Sequence, residues 1–135
     1  MAWWAEGGVF MYIVAASAAL TGLGVGIAFL LSVAAWFVRV LRVPARILGI
    51  LSVLATPLPL VVGVAGWMYS RSVVDAALLA VDPAQADMIR EVGYAEARHV
   101  LDLGSGLTCL LVAAAAVGAL IALSVPAPPQ DDDEG

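Results

Sequence analysis

VLDLGSGLTCLLVAAAAVGALIALSV, Val100 to Val125, is the stretch that decides the fold. It holds no Lys or Arg and a single acid, Asp102, near its start. An α-helix needs roughly 20 apolar residues to cross a hydrocarbon core about 30 Å thick, and this run reaches that length. Two more runs of the same kind precede it, Val9 to Val38 and Ile47 to Tyr69, and neither contains a charged residue. The reading is therefore an all-α integral membrane domain over residues 1–125, with crossings at about 9–38, 47–69 and 100–125. Composition agrees, because 63% of the residues are hydrophobic and 13% charged, with a mean hydropathy of +1.01. The first run is read as retained rather than as a secretory signal, since Glu6 stands where a basic n-region belongs and the run is too long for an h-region.

The arginines give an expected orientation. The chain has no lysine, and Arg39, Arg42 and Arg46 crowd the link between the first two runs. Arg71, Arg90 and Arg98 are dispersed among Asp75, Asp82, Asp87, Glu91 and Glu96. An excess of Lys and Arg marks cytoplasmic loops. The first link is thus expected inside, with the N-terminus and the 70–99 connection outside and the C-terminus cytoplasmic. Trp3, Trp4 and Tyr12 would mark the outer interface, Trp36 and Phe37 the inner one, and Trp67 and Tyr69 the outer one again. The tail 126–135, with Asp131, Asp132, Asp133 and Glu134, has no apolar content and is expected to be a disordered acidic cytoplasmic segment.

Local signals refine the three segments. Gly22, Gly24 and Gly26 and the alanines before them let a neighbouring helix approach closely, as lipid-embedded helices require. Pro57 and Pro59 remove two backbone donors inside the second run, so a kink is expected there. Freed carbonyls at that depth need a partner, and Thr56 either bonds back into its own helix or lines a hydrated lumen. Asp82, Pro83 and Gln85 read as a cap, a first helical position and a capping-box partner, so the outer connection is expected to be a helix running into the third crossing. His99 and Asp102 stand three apart and are a candidate pair. Ser105 and Thr108 continue at the same step and are read with them as one polar stripe turned from lipid. Cys109 is the only cysteine, which excludes an intramolecular disulfide and a Cys-based metal site. No nucleophile and base arrangement, metal cluster or phosphate loop stands out, so no enzyme activity, cofactor or nucleic-acid partner is expected.

Three phrases, in order, resemble the MotA/TolQ/ExbB proton-channel family. Gly7-Gly8-Val9-Phe10-Met11-Tyr12 is similar to the opening of its first crossing. Pro57-Leu58, Gly63 and Met68 resemble its pore-helix phrase, and Gly93-Tyr94-Ala95-Glu96-Ala97 with Leu103-Gly104 its phrase before the third crossing. The resemblance implies a bacterial inner-membrane subunit of an ion-driven channel or stator-like complex. Its copies, five in the family, would surround a TolR/ExbD/MotB-like single-span partner that supplies the titrating Asp. On that reading Thr56, Glu96, Asp102, Ser105 and Thr108 lie nearest the ion pathway, and Gly22, Gly24, Gly26, Gly63 and Gly104 serve packing. The chain departs from the pattern in reducing the cytoplasmic domain to about eight residues. It also has Val64, Val100 and Leu101 where the family places threonines. A non-conducting scaffold subunit of a larger membrane complex is the other function class.

Overall fold

The computed structural model describes residues 8–125, and every regular element in it is helical. Helix α1 spans Gly8–Ala34, α2 Arg42–Ala55, α3 Leu58–Leu78 and α4 Pro83–Ser124, with one 3-10 turn at Arg39–Leu41. Together they give three helical segments long and apolar enough to cross a membrane, at Gly8–Ala34, Arg39–Leu78 and Pro83–Ser124. A multi-pass membrane protein fits this architecture. Trp3, Trp4 and the acidic tail lie outside the described residues.

Two local signals from side-chain chemistry are visible in the helices, the Asp82 cap and the interruption before Pro59. Asp82 caps α4, its carboxylate accepting the Ala84 N–H at 3.0 Å, and Pro83 occupies the first turn, where a missing N–H costs nothing. In the second segment the α-helix is interrupted at Thr56–Pro57. Pro59 has no N–H to return to the Ala55 carbonyl, and the chain tightens instead, Thr56 N–H donating to the Val53 carbonyl at 3.3 Å. Helix boundaries differ from the apolar runs at both ends. α1 stops at Ala34, and the link is turn and 3-10 helix before α2 starts at Arg42. α3 runs past Tyr69 to Leu78, because helical geometry continues through polar residues once it leaves an apolar stretch.

What faces inward is mostly small, Met11 being the largest side chain there. Met11, Val14, Ala18, Thr21, Val25, Ala28, Ser32 and Ala35 are buried, at alternating steps of three and four. The same alternation runs through Ala45, Gly49, Ser52, Thr56, Pro59, Gly63 and Gly66, crossing the proline break without losing register. α4 contributes Ala97, Val100, Gly104, Thr108, Ala115, Gly118 and Ala122. Heptad spacing is the pattern of left-handed helix packing, and here it is written in residue size rather than in polarity. The large apolar residues point the other way: Leu20, Leu30, Phe37, Leu54, Leu110, Leu120 and Leu123 are exposed. In water such a surface would drive aggregation, whereas in a bilayer acyl chains solvate it.

The closest approach joins α3 and α4, the most extensively packed pair. A methyl group on Gly104 would lie 2.7 Å from the Pro59 carbonyl oxygen and 3.2 Å from Gly63 Cα. One on Gly63 would meet the Val100 oxygen at 3.2 Å. Gly63 and Gly104 thus leave no room for a methyl at this crossing, whereas one on Gly22 would only touch Leu111, and one on Gly24 or Gly26 would have nothing within 4 Å. The second and third glycines of that run are therefore not part of this bundle's own packing. At the opposite end from the 79–82 connection, Arg46 Nη2 donates to the Val125 carbonyl at 2.9 Å and satisfies the C-terminus of α4.

Candidate functional site

α4 has 42 residues, about 63 Å of helix at 1.5 Å per residue. With α3 it continues beyond Gly8, where α1 begins, and forms a two-helix hairpin that carries Arg71, Asp75, Asp87, Arg90, Glu91 and Glu96. A cleft of about 530 Å³ opens where α1 begins against this hairpin. Gly8, Val9 and Phe10 form one wall, Tyr69, Ser70, Val73 and Val74 the second, and Gly93, Glu96, Ala97 and Val100 the third.

Glycine shapes the cleft. A methyl on Gly66 would sit 2.9 Å from the Phe10 ring, and one on Gly93 would fall 2.7 Å from a Val74 methyl. Phe10 packs onto Tyr69 at 5.3 Å between ring centroids, tilted by 45°. Next to the cleft, Arg71 lies between the faces of Trp67 and Tyr94, at 5.1 and 4.5 Å from their centroids. The Tyr94 hydroxyl donates to the Asp75 carboxylate. Trp67, Arg71 and Asp75 are spaced by four, so one stripe of α3 meets Tyr94 of α4 and fixes the hairpin.

The acids of the described region divide by what they touch. Asp82 caps α4, Asp75 accepts from Tyr94, and Asp87 pairs with Arg90 at 3.6 Å. Asp102, more than half exposed, is 3.7 Å from Arg98, one turn earlier on its own helix. Glu91 is exposed. Only Glu96 is both partly buried and without an ion pair or hydrogen bond to any described residue, and it lies in the cleft. Glu96 is thus a half-buried carboxylate without a described partner on the wall of a largely apolar cleft.

The remaining residues singled out from the sequence are dispersed. Three-residue steps on an α-helix rotate by about 300°, so each step slips by about 60°. His99, Asp102, Ser105 and Thr108 therefore do not form one face. Asp102 is exposed, His99 and Ser105 are intermediate, and Thr108 is buried. The ion pair of Asp102 runs to Arg98, and the Ser105 hydroxyl donates to the Asp102 carbonyl at 3.0 Å. Thr56 is 2% exposed and its hydroxyl donates to the Val53 carbonyl at 2.7 Å, the first of its two sequence readings.

Thr108 differs from the other buried hydroxyls. Ser17, Thr21, Ser32 and Ser52 each donate to a carbonyl of their own helix at 2.7 to 2.8 Å, whereas the Thr108 hydroxyl finds no partner among the described residues. Replacing it by the isosteric Thr108→Val is expected to raise stability by about 1 kcal/mol, since a buried unsatisfied hydroxyl costs at least that much. Unfolding titrated in mixed micelles reads this directly, and a loss of stability would show that water or another chain serves that hydroxyl.

Sequence reading missed Phe10, Ser70 and Val73 as cleft residues, and treated Arg71 and Asp75 as scattered charges. The four-residue step from Trp67 through Arg71 to Asp75 was the available signal. No group of three or more His, Cys, Asp or Glu able to hold a metal occurs among the described residues. No family model, curated protein or solved structure matches the chain.

Proposed function

We propose that this chain is the membrane subunit of an ion-driven complex of the bacterial inner membrane, assembled as a homo-oligomer around a single-span partner, with Glu96 as its proton-handling group. Glu96, half-buried in the cleft and without a partner among the described residues, is the observation that carries the reading. The transmembrane potential supplies roughly 2.3 kcal/mol per charge per 100 mV, which on this reading is the energy source of the complex. The crossing of Pro59 and Gly63 with Val100 and Gly104 supports it further, because it brings together the phrase that resembles the pore helix of the MotA/TolQ/ExbB family and the one that resembles its phrase before the third crossing. The partner-facing surface would be the exposed apolar side of α3 and α4. Gly24 and Gly26, unused within the bundle, are open to a neighbouring copy.

In this arrangement the end bearing Arg39, Arg42 and Arg46 is cytoplasmic and the α3–α4 hairpin faces outward. Proton flux into vesicles prepared from membranes that hold the whole complex tests the reading. Flux that depends on this chain and is lost in Glu96→Gln is the expected outcome, and flux indifferent to Glu96 overturns it.

A second reading, a scaffold subunit that conducts nothing, is favoured by the locally satisfied hydroxyls. Ser17, Thr21, Ser32, Ser52 and Thr56 all spend their hydrogen on their own helix, which leaves no hydroxyl row through the protomer. Absence of any flux attributable to the complex selects this reading.

A further inference from the structure

The cleft of about 530 Å³ sets terms for whatever covers it. Val9, Phe10, Val73 and Val100 make its walls mostly apolar, and the Glu96 carboxylate among them accepts no hydrogen bond from any described residue. A suitable occupant is therefore mainly apolar and brings at least one hydrogen-bond donor. An acyl chain has no donor, and a phosphate headgroup would meet a like charge. Gly8 belongs to the same wall and has φ +59, a left-handed backbone that glycine takes without strain and that turns the chain off the line of α1. The residues before it, Met1-Ala2-Trp3-Trp4-Ala5-Glu6-Gly7, carry two indoles. Trp4 is four residues from Gly8 and Trp3 five, so the chain between spans at most about 14 and 18 Å. Both indoles are thus within reach of a cleft that starts at their own tether.

We infer that the chain's own residues 1–7 cover the cleft, with one indole of the Trp3-Trp4 pair seated on its apolar walls and donating its N–H to the Glu96 carboxylate. Tryptophan matches both terms, since its ring buries well against apolar side chains and its single N–H, a donor only, needs an acceptor once buried. Neighbouring residues of an extended chain point to opposite sides, so seating one indole leaves the other at the bilayer boundary, where tryptophan concentrates. Glu6, the one acid of the segment, lies between the indoles and Gly8 and turns to water in this arrangement. The tether favours this occupant over a free molecule, because a short flexible linker holds its end at an effective concentration in the millimolar range. The inference rests on the cleft and not on conduction. Where the complex carries protons, the seated indole controls the access of water to Glu96.

Labelling of the cleft wall tests this. Cys109 is exposed, so Cys109→Ser gives the background, and Ser70→Cys places a thiol on the wall. The full chain is reconstituted in nanodiscs, and its rate of reaction with a membrane-impermeant maleimide is measured with and without Trp3→Ala and Trp4→Ala. A wall covered about nine-tenths of the time reacts about tenfold more slowly than an open one, so removing both indoles is expected to raise the rate about tenfold. Val73→Cys, on the same wall, is expected to respond alike and serves if Ser70→Cys fails to assemble. Leu79→Cys, at the α3–α4 connection and 91% exposed, is expected to react equally fast in both backgrounds. An unchanged rate at the wall positions overturns the inference, whether fast, because the cleft then stands open, or slow, because something else fills it. So does protection of a Ser70→Cys chain lacking both indoles by wild-type copies mixed into the same discs, since the occupant would then come from a neighbouring chain. None of these readouts depends on proton flux, so a failure here is distinct from a failure of Glu96 to carry protons.

Discussion

Gly104→Ala is expected to destabilise the bundle by about 2 kcal/mol, within the range found when a well-packed core is overfilled. The new methyl would lie 2.7 Å from the Pro59 carbonyl oxygen and 3.2 Å from Gly63 Cα. Both are backbone atoms, so no side chain can swing aside, and α3 and α4 must separate along their most extensive contact. The helix-forming advantage of alanine over glycine, about 1 kcal/mol, offsets part of the loss. Gly104→Leu is expected to leave no folded bundle. Gly106→Ala, two positions away with nothing within 4 Å, isolates the helix-propensity effect and is expected to be neutral or stabilising. Unfolding followed by tryptophan fluorescence in mixed micelles measures all three. Equal behaviour of Gly104→Ala and Gly106→Ala would remove the crossing from the account. Gly63→Ala meets the same backbone from the other side, so combining it with Gly104→Ala should cost less than the sum of the two.

Glu96→Gln is expected to lower proton flux through the complex by about 100-fold, the lower range of what a positioned proton-transfer group contributes. The substitution keeps shape and hydrogen-bonding capacity but removes the exchangeable charge, so folding and assembly should be unchanged. Asp102→Asn is the control. Its carboxylate is more than half exposed and paired with Arg98 on the same helix, and such surface pairs contribute little, so flux should stay within about twofold of wild type. If Asp102→Asn abolishes flux while Glu96→Gln does not, the ion pathway runs along the exposed side of α4 and the cleft is a bystander.

The three spans were legible in the sequence because lipid imposes a length and a polarity that composition records directly. The α4 start was legible because Asp82 and Pro83 carry specific hydrogen-bonding chemistry, and the helix interruption because Pro57 and Pro59 lack N–H groups. The inward face was not. In a soluble helix the buried side is apolar and the outer side polar, but here Leu20 and Ala18 are both apolar and differ in size. The seam from Met11 to Ala35 is a contrast between small and large that a polarity reading cannot see. Gly22 and Gly26, four apart, share one side of α1 and Gly24 turns to another, yet only at Gly22 would an added methyl come within 4 Å of another helix. The polar stripe on α4 failed for a geometric reason, a step of three being short of a full turn. The Glu96 cleft was hidden because it depends on where α1 starts relative to the α3–α4 hairpin, a tertiary fact with no local signature.

The central claim is that this bundle works as one subunit among several, its large outward residues and unused glycines shared with other chains. The mass of the complex excised with its lipids from the membrane, without detergent, tests it most directly. Several 13.9 kDa copies together with a smaller complement of a single-span protein is the predicted result. A lone protomer surrounded only by lipid would contradict it.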